Sequence, residues 1–153
     1  MASIKAQKAN APKYMTCDGD FVFECDKIVL GASPGLGTPA AADTLDFFIP
    51  AGAQVADLSF FLDDCDTAAT FVFGVGYRAV DPANATALPT NATYFSAAGQ
   101  TTGQAGGRLE CAFKPIKFEV DVYIQLLVGT APTGIAGNPE IHIIAGYNCI
   151  GPK

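Results

Sequence analysis

The sequence predicts an all-β protein, a jelly-roll-like antiparallel β-sandwich with an extended N-terminal arm. The strongest observation is the alternation of apolar and polar residues over positions 116–128. One parity holds only apolar residues, namely Ile116, Phe118, Val120, Val122, Ile124, Leu126 and Val128, and the other holds Lys117, Glu119, Asp121, Tyr123 and Gln125. Successive strand side chains point to opposite faces, so this pattern predicts a strand with one dry face and one wet face. The dry face needs a second sheet to cover it, which indicates a sandwich.

Size and composition supply the second observation. The chain has 153 residues, of which 50% are hydrophobic and only 16% are charged. A chain of this length buries about 68–70% of its unfolded surface, enough for one domain to form a core without disulfides or metal. The charged fraction lies below the usual value of about 25%, so few charges are present to cover a small monomer. We therefore expect an oligomer or a subunit of a larger assembly.

The N-terminal part divides into an arm and the start of the sandwich. Residues 1–16 are rich in Ala, Lys, Gln and Asn, and we interpret them as an arm, disordered or docked on a neighbour. Residues 17–153 are interpreted as a single β-sandwich domain, whose first strand is predicted at 21–30. The apolar residues of this strand change parity near Asp26, which predicts a β-bulge or a break. Those before the change are Phe21, Phe23 and Cys25, and those after it are Ile28 and Leu30.

The middle of the chain predicts a hairpin. A second strand at 43–49 is followed by a third at 55–62, an acidic turn at 63–67 and a fourth strand at 70–77. The core parity of the last two strands is apolar: Leu58, Phe60 and Leu62, then Phe71, Phe73, Val75 and Tyr77. Their proximity in sequence and the acidic connection favour antiparallel pairing of the two strands.

The rest of the chain consists of strands separated by long loops. Residues 92–98 are a short strand or a single helical turn, and further strands are predicted at 109–113, 116–128 and 140–150. The loops lie at 81–89, 99–107 and 129–139. This number of strands favours a jelly roll. An immunoglobulin-like sandwich is the alternative, but it is normally shorter and contains a characteristic Trp, whereas this chain has no Trp.

Charge and targeting signals exclude several functional classes. The net charge is −6 and the pI is about 4.5, which argues against nucleic acid as a partner because phosphate binding needs clustered Lys and Arg. No apolar run reaches the roughly 18–20 residues that span a bilayer. The N-terminus lacks the apolar core of a signal peptide, so we expect no membrane partner and synthesis in a reducing cytoplasm.

Cysteine and acidic residues give no convincing site. The five cysteines form no C-x-x-C pair and are interpreted as free thiols acting as small core hydrophobes: Cys17, Cys25, Cys65, Cys111 and Cys149. Asp63, Asp64 and Asp66 miss the calcium-loop spacing, so a solvated turn is favoured over a calcium site. His142 is the only histidine, and without a nucleophile motif it is interpreted as exposed or at an interface. We therefore expect no catalytic residue, no cofactor and no metal, and a protein that is not an enzyme.

Four segments carry a resemblance to a known family. They are residues 23–30, the turn at 48–53 with its Ile-Pro-Ala-Gly-Ala sequence, residues 55–66 ending in an Asp-Asp-Cys-Asp run, and residues 143–147 ending in Gly-Tyr. Over residues 21–147 the chain resembles jelly-roll cement or decoration proteins of tailed bacteriophages.

The resemblance implies a structural role in a virion. It implies a protein that binds and stabilises the outer surface of the capsid, with the major capsid protein and copies of itself as partners, as a dimer or trimer. Termini in this family often clamp neighbouring subunits, so the arm residues expected to contact the capsid or a sister subunit are Ile4, Lys5, Lys8 and Lys13. The localisation implied is the capsid surface of the virion.

A second hypothesis is a glycan-binding module on a virion fibre or tail. In this hypothesis the loops at 81–89, 99–107 and 129–139 build a shallow pocket at one end of the sandwich. Tyr77, Tyr94 and Tyr147 would stack on sugar rings. Packing of these tyrosines in the core or at an interface is the favoured interpretation.

Overall fold

A computed structural model of the chain describes residues 3–5, 21–31 and 36–149, and these residues are almost entirely strands and loops. The strands are β1 (Ser3–Lys5), β2 (Phe21–Val29), β3 (Thr44–Ile49), β4 (Ala53–Leu62), β5 (Val72–Ala79), β6 (Asn91–Gln100), β7 (Gly107–Glu110), β8 (Ile116–Lys117), β9 (Val122–Thr130) and β10 (Glu140–Cys149). Two short 3-10 helices, Pro82–Ala85 and Thr102–Gln104, lie in loops. Strand formation agrees with the abundance of β-branched and aromatic residues in these segments.

The strands form two sheets that pack as a sandwich. Sheet A has the order β1-β3-β9-β5-β6, and sheet B has the order β2-β10-β4-β7, with β8 also pairing with β4. From β2 onward the chain changes sheet at each connection except the β5–β6 and β7–β8 connections. Strand pairs are antiparallel except for the parallel β1–β3 pair. This topology confirms the predicted all-β, jelly-roll-like sandwich.

The core lies between the inner faces of the two sheets. Its largest fully buried side chains are mainly phenylalanines and branched aliphatics, which include Phe47, Phe60, Phe71, Phe73, Phe95, Phe118, Ile28, Leu30, Leu45, Leu58 and Ile124. Burial of each such side chain contributes about 1.5–3 kcal/mol relative to an exposed one. The inner parities predicted for the segments 55–62, 70–77 and 116–128 are confirmed by this core.

The hairpin predicted from residues 55–62 and 70–77 is wrong. β4 belongs to sheet B, where it pairs with β10, whereas β5 belongs to sheet A, where it pairs with β9 and β6. The acidic segment between them crosses from one sheet to the other. Alternating apolar residues show that two strands each have a dry face, but two strands facing each other across a core have the same pattern as two neighbours in one sheet.

The strand predicted at 116–128 is two strands in different sheets. β8 pairs with β4 in sheet B and β9 pairs with β3 and β5 in sheet A, so the chain changes sheet at residues 118–121. Both faces of β9 are buried: Tyr123 and Gln125, predicted to face solvent, are 5% and 2% exposed. The wet face is lost because β9 lies in the middle of sheet A, where neighbouring side chains cover it.

The β-bulge predicted near Asp26 is also wrong. β2 pairs with β10 in an unbroken register from the Phe21–Asn148 pair to the Val29–Glu140 pair. The parity changes because the apolar residues before Asp26 lie on the outer face of the strand, whereas Ile28 and Leu30 lie on the inner face. Phe21 and Phe23 point away from the core and remain 46% and 63% exposed, while Ile28 points inward and is fully buried.

The Ile-Pro-Ala-Gly-Ala turn fixes the crossing from β3 to β4. Gly52 has a φ of +83°, a conformation that favours glycine, and its amide donates to the Phe118 carbonyl at 2.7 Å. The Ala51 amide donates to Asp121 Oδ1 at 2.8 Å. The turn is thereby joined to the segment that crosses from β8 to β9.

Candidate interaction surfaces

The predicted arm contributes one strand to the sheet of its own chain. Ser3–Lys5 form β1, and the register places Ile4 opposite Leu45 and Lys5 opposite Asp46 of β3. Two of the four predicted contact residues therefore lie along the edge of sheet A. Lys8 and Lys13, and the predicted arm boundary at residue 16, lie outside the described residues.

The outer face of sheet A contains a buried ion pair. Arg78 of β5 donates from Nη2 to Asp46 Oδ2 of β3 at 2.6 Å, with Asp46 fully buried and the Arg78 side chain 27% exposed. The Arg78 guanidinium also lies 4.7 Å from the ring centroid of Tyr123 on β9, which separates the two strands. This arrangement crosslinks three strands on the face that the alternation at 116–128 predicted to be wet.

The strand β6 folds over part of the same face. It pairs with β5 through two register shifts, so the longer β6 bulges over its neighbour. A Cβ at Gly76 would lie 1.9 Å from the Asn91 carbonyl oxygen, and one at Gly74 would lie 3.3 Å from Ala98 Cα. The two glycines of β5 therefore provide the space that the β6 backbone occupies.

The outer face of sheet B carries an exposed aromatic patch formed by Phe21 and Phe23. The two rings contact each other edge to face, with centroids 4.9 Å apart. They lie over Gly146 of β10, where an added Cβ would be 2.8 Å from Phe21 Cζ and 3.1 Å from Phe23 Cε1. We call this feature the Phe21/Phe23 patch. The absence of a side chain at Gly146 allows the rings to lie against the sheet.

A cluster of charged side chains lies further along the same face, towards the other end of β2. Glu140 accepts hydrogen bonds from Lys27 Nζ at 2.7 Å and pairs with His142 Nε2 at 2.8 Å. The hydrogen bond from Lys27, opposed by desolvation and supported by His142, holds the pKa of Glu140 below its usual range. His142 is about half exposed, and it lies next to Lys27 and Phe61 in the sheet register. No nucleophilic side chain is hydrogen-bonded to it among the described residues.

Near the opposite edge of sheet B, Arg108 of β7 lies over the ring of Phe61 of β4. The Arg108 guanidinium lies 5.1 Å from the ring centroid of Phe61, and Arg108 also pairs with Glu110 at 3.1 Å. Phe61 is 40% exposed, less than either ring of the Phe21/Phe23 patch. On this face Lys27 pairs with Glu140 and Arg108 with Glu110, while the exposed Asp57 lies beside the Phe21/Phe23 patch, with its Cβ 3.2 Å from a Cβ built at Gly146.

In the acidic segment at 63–66 the interpretation as a solvated turn is wrong for Asp66, which is buried and accepts hydrogen bonds from the surrounding loops. Asp66 is 1% exposed, while Asp63 and Asp64 are exposed. Its Oδ1 accepts from the Ala68 and Thr133 amides, and its Oδ2 accepts from the Thr70 amide, the Thr70 hydroxyl and the Phe71 amide. Burial opposes ionisation, but these hydrogen bonds outweigh it and hold the pKa of Asp66 well below its usual range.

The cysteines differ in environment. Cys65 is fully buried, and desolvation, together with the three neighbouring aspartates, raises its pKa to about 12. Cys111 is half-buried, and burial followed by Asp57 raises its pKa to about 12. The interpretation as a core hydrophobe is confirmed for Cys65 and is wrong for Cys25, which is exposed. Cys17 and the side chain of Cys149 lie outside the described residues.

The glycan-site geometry of the second hypothesis is wrong. Tyr77 and Tyr147 are buried, at 8% and 4% exposure, and the Tyr147 hydroxyl donates to Glu24 at 2.8 Å. Tyr94 is half-buried and packs edge to face on Tyr77, with centroids 5.4 Å apart. The packing interpretation is confirmed for these tyrosines.

The three long loops do not meet at one end of the sandwich. The amides of Cys65 and Thr67 donate to the Gly103 and Gly134 carbonyls, which places the loops at 99–107 and 129–139 at the same end as the acidic segment. The Val80 amide donates to the Asp121 carbonyl, which places the loop at 81–89 at the other end. A pocket built from all three loops is therefore excluded.

No group of three or more His, Cys, Asp or Glu side chains in the described part of the chain has a geometry that holds a metal ion. The described part of the chain contains no helix with the length and apolar character needed to cross a membrane.

The fold has counterparts among solved bacteriophage capsid structures. A chain in "Capsid of Ralstonia phage GP4" matches with a TM-score of 0.71 and 22% identity, over 96% of this chain and 97% of that one. A chain in "Cyanophage Pam1 capsid asymmetric unit" matches with a TM-score of 0.60 and 16% identity, over 93% of this chain and 94% of that one. The chain matches no protein family profile and no curated protein. At these identities the likeness establishes a shared fold over nearly the whole length.

The sequence prediction placed the interaction residues on the arm and missed the Phe21/Phe23 patch. The signal was present as the change of parity near Asp26, but it was interpreted as a bulge. An outward-facing aromatic pair at the start of a regular strand gives the same sequence pattern as an inward-facing aromatic pair followed by a β-bulge. The unbroken register with β10 distinguishes the two.

Proposed function

We propose that this chain is a structural protein of a bacteriophage virion that binds the outer surface of the capsid and stabilises it, without catalysing a reaction. The observation that carries the proposal is the match over 96% of the chain to a chain of a phage capsid structure at a TM-score of 0.71. A match to a second phage capsid structure at a TM-score of 0.60 supports it. The resemblance to decoration proteins over residues 21–147 favours the outer surface.

The physical properties of the chain suit such a role. A capsid-binding subunit needs a rigid body and broad contact surfaces, and the sandwich provides two sheets with crosslinked strands. Only 16% of the residues are charged, so large areas can be covered by neighbours at a low desolvation cost. The exposed Phe21/Phe23 patch is the kind of aromatic surface that protein interfaces use as an anchor.

The arm is proposed to extend the contact. In this proposal residues 1–16 are an arm and residues 17–153 are one domain, and Ile4, Lys5, Lys8 and Lys13 contact the major capsid protein or a sister subunit. Support comes from β1, which lies at the outer edge of sheet A, where Ile4 and Lys5 are next to β3. The lysines would add rim electrostatics to a negatively charged body, which strengthens contact with an acidic patch.

The proposal is tested by adding the purified full-length chain to phage capsids that lack it. We expect saturable binding, visible as ordered density on the outside of the capsid by electron cryomicroscopy, and a higher temperature of capsid rupture. Absence of binding to the capsid of its own phage, with the chain shown to be folded, would overturn the proposed function.

The arm is tested with the variant Lys5→Gln/Lys8→Gln/Lys13→Gln. If each lysine contributes about 0.5 kcal/mol at an exposed rim, capsid binding weakens roughly tenfold, and the difference shrinks at high salt. Lys114→Gln is the matched control, because Lys114 is an exposed lysine of the sandwich and its loss should leave affinity unchanged. Equal affinity of the triple variant and the control would remove the arm from the interface and leave the rest of the proposal standing.

A further inference from the structure

The first of the two arginines in this chain is bound between an aromatic ring and a carboxylate. On the outer face of sheet A, the Arg78 guanidinium lies 4.7 Å from the ring centroid of Tyr123 and donates to Asp46 at 2.6 Å. A guanidinium can make both contacts at once, because its flat face stacks on a ring while the N–H groups in its plane point towards a carboxylate.

The second arginine is bound in the same way on the outer face of sheet B. The Arg108 guanidinium lies 5.1 Å from the ring centroid of Phe61, its neighbour in the strand register, and pairs with Glu110 at 3.1 Å. All three of these side chains are exposed. The combination of ring, guanidinium and carboxylate therefore forms at the surface of this sheet and does not require burial.

A third combination of aromatic rings and a carboxylate lies on the same face of sheet B. Phe23, Gly146 and Asp57 are neighbours in the register of β2, β10 and β4. A Cβ built at Gly146 would lie 2.8 Å from Phe21, 3.1 Å from Phe23 and 3.2 Å from Asp57, so the three side chains surround one point. We call these three exposed side chains the aromatic–acidic site. Among the residues that the structure describes, no cationic side chain lies over either ring or pairs with Asp57.

The charges at this site favour a cation as its occupant. The faces of the exposed rings attract a cation through their negative quadrupole, and Asp57 adds a full negative charge beside them. The net charge of −6 on the chain strengthens this attraction. A purely apolar partner would instead cover the Asp57 carboxylate without a counter-charge, which costs free energy.

The arginine that fits this site must come from a different protein. The chain has two arginines, and Arg78 and Arg108 are both engaged with rings and carboxylates of their own. A second copy of the chain offers only the same two engaged arginines. A partner with another sequence is therefore favoured over self-association at this site.

We propose that the aromatic–acidic site binds an arginine side chain of the capsid protein, with the guanidinium stacked on Phe23 and paired with Asp57. This inference rests on the proposed function, which supplies the capsid as the partner, and it adds the surface and the side chain through which the two proteins are joined. Arginine fits better than lysine, because a guanidinium is weakly hydrated and stacks on rings, whereas an ammonium is a compact and strongly hydrated charge.

The test measures the affinity of the full-length chain and its variants for phage capsids that lack it. Phe23→Leu keeps an apolar side chain but removes the ring, and Asp57→Asn removes the charge with little change of size. We expect each variant to bind about five- to tenfold more weakly than the wild type. Because both groups contact the same guanidinium, the combined loss in Phe23→Leu/Asp57→Asn should be smaller than the product of the two single losses.

Phe61→Leu and Asp64→Asn are the matched controls. Phe61 is an exposed phenylalanine of the same face whose ring Arg108 already covers, and Asp64 is an exposed aspartate of the loop that follows β4. Both variants should bind capsids with the affinity of the wild type. Folding of every variant is checked by circular dichroism, and Asp57→Ser replaces Asp57→Asn if that variant does not fold.

Chemical modification of the capsid tests the identity of the partner side chain. Phenylglyoxal blocks arginines, and acetic anhydride blocks lysines. We expect phenylglyoxal treatment of the capsid to remove the difference in affinity between the wild type and Asp57→Asn, and acetylation to preserve it.

Three results would overturn the inference and leave the proposed function standing. They are wild-type affinity of Asp57→Asn or Phe23→Leu, equal weakening by Phe61→Leu, and loss of the affinity difference on acetylation of the capsid but not on phenylglyoxal treatment. A folded wild-type chain that does not bind capsids would overturn the inference and the proposed function together.

Discussion

At one end of the sandwich, the carboxylate of Asp66 accepts hydrogen bonds from its own loop and from Thr133, which lies 67 residues later in the sequence. Because its pKa is lowered in the folded state, ionised Asp66 stabilises the fold above the unfolded pKa of about 3.9. This contribution is lost as the pH falls below that value towards the folded pKa. A residue that composition assigns to a solvated turn is therefore part of the loop structure.

We expect Asp66→Asn to lower the temperature of unfolding at neutral pH, because the asparagine amide group places donors against backbone donors. Thermal unfolding from neutral pH to about pH 3 should show a steep acid loss in the wild type and a shallower one in Asp66→Asn. The control is Asp64→Asn, since Asp64 is exposed and its side chain accepts a hydrogen bond from the Asp66 amide. Identical acid profiles for the wild type and Asp66→Asn would contradict this assignment.

The Asp46–Arg78 pair gives a second residue-level prediction. Arg78→Met leaves the fully buried Asp46 carboxylate without the guanidinium, and we expect a loss of roughly 2–4 kcal/mol, less than for a completely buried pair because Arg78 is partly exposed. Arg108→Met removes an exposed pair with Glu110 and should cost about 1 kcal/mol or less. Urea unfolding monitored by fluorescence measures both. Equal losses in the two variants would show that burial does not strengthen the Asp46–Arg78 pair.

At the scale of elements, the packing of β6 over β5 depends on a position without a side chain. In Gly76→Ala the new Cβ would overlap the Asn91 carbonyl oxygen and the Ala92 backbone, so β6 must move. We expect a loss of roughly 1–3 kcal/mol by urea unfolding, the usual cost of overpacking. The control is Gly129→Ala on β9, where the nearest atom would be at an ordinary contact distance of 3.5 Å. A Gly76→Ala variant as stable as this control would mean that β6 does not pack on β5 as described.

At the scale of the whole molecule, the sequence predicted the fold class because burial parity is a local property. The inward parities of β4, β5 and β9 could be read from their own residues, such as Phe60, Phe73 and Ile124. The sheet to which each strand belongs could not be read in this way, because it depends on which distant strands pair with its two edges. The hairpin assigned to β4 and β5 failed for this reason, and so did the outward assignment of Tyr123 and Gln125, whose cover comes from neighbouring strands.

The candidate sites were also only partly predictable from the sequence. The arm residues Ile4 and Lys5 were selected from composition and a resemblance, and their place beside β3 came from the structure. The change of parity near Asp26 is a sequence signal for the Phe21/Phe23 patch, but only the unbroken β2–β10 register distinguishes an outward-facing pair from a bulge. Asp66 could not be recognised from the sequence, because one of its donors, the Thr133 amide, comes from a distant loop.

The position of β10 between β2 and β4 determines when the protein can fold during synthesis. The first strand of sheet B pairs with a strand whose residues are more than 110 positions later in the chain, as shown by the Val29–Glu140 pair. The ribosome must therefore release almost the entire polypeptide before sheet B can close, and neither half of the chain contains a complete sheet. Until then the apolar strands of sheet B lack their partners, and unpaired apolar strands of this kind are prone to aggregate.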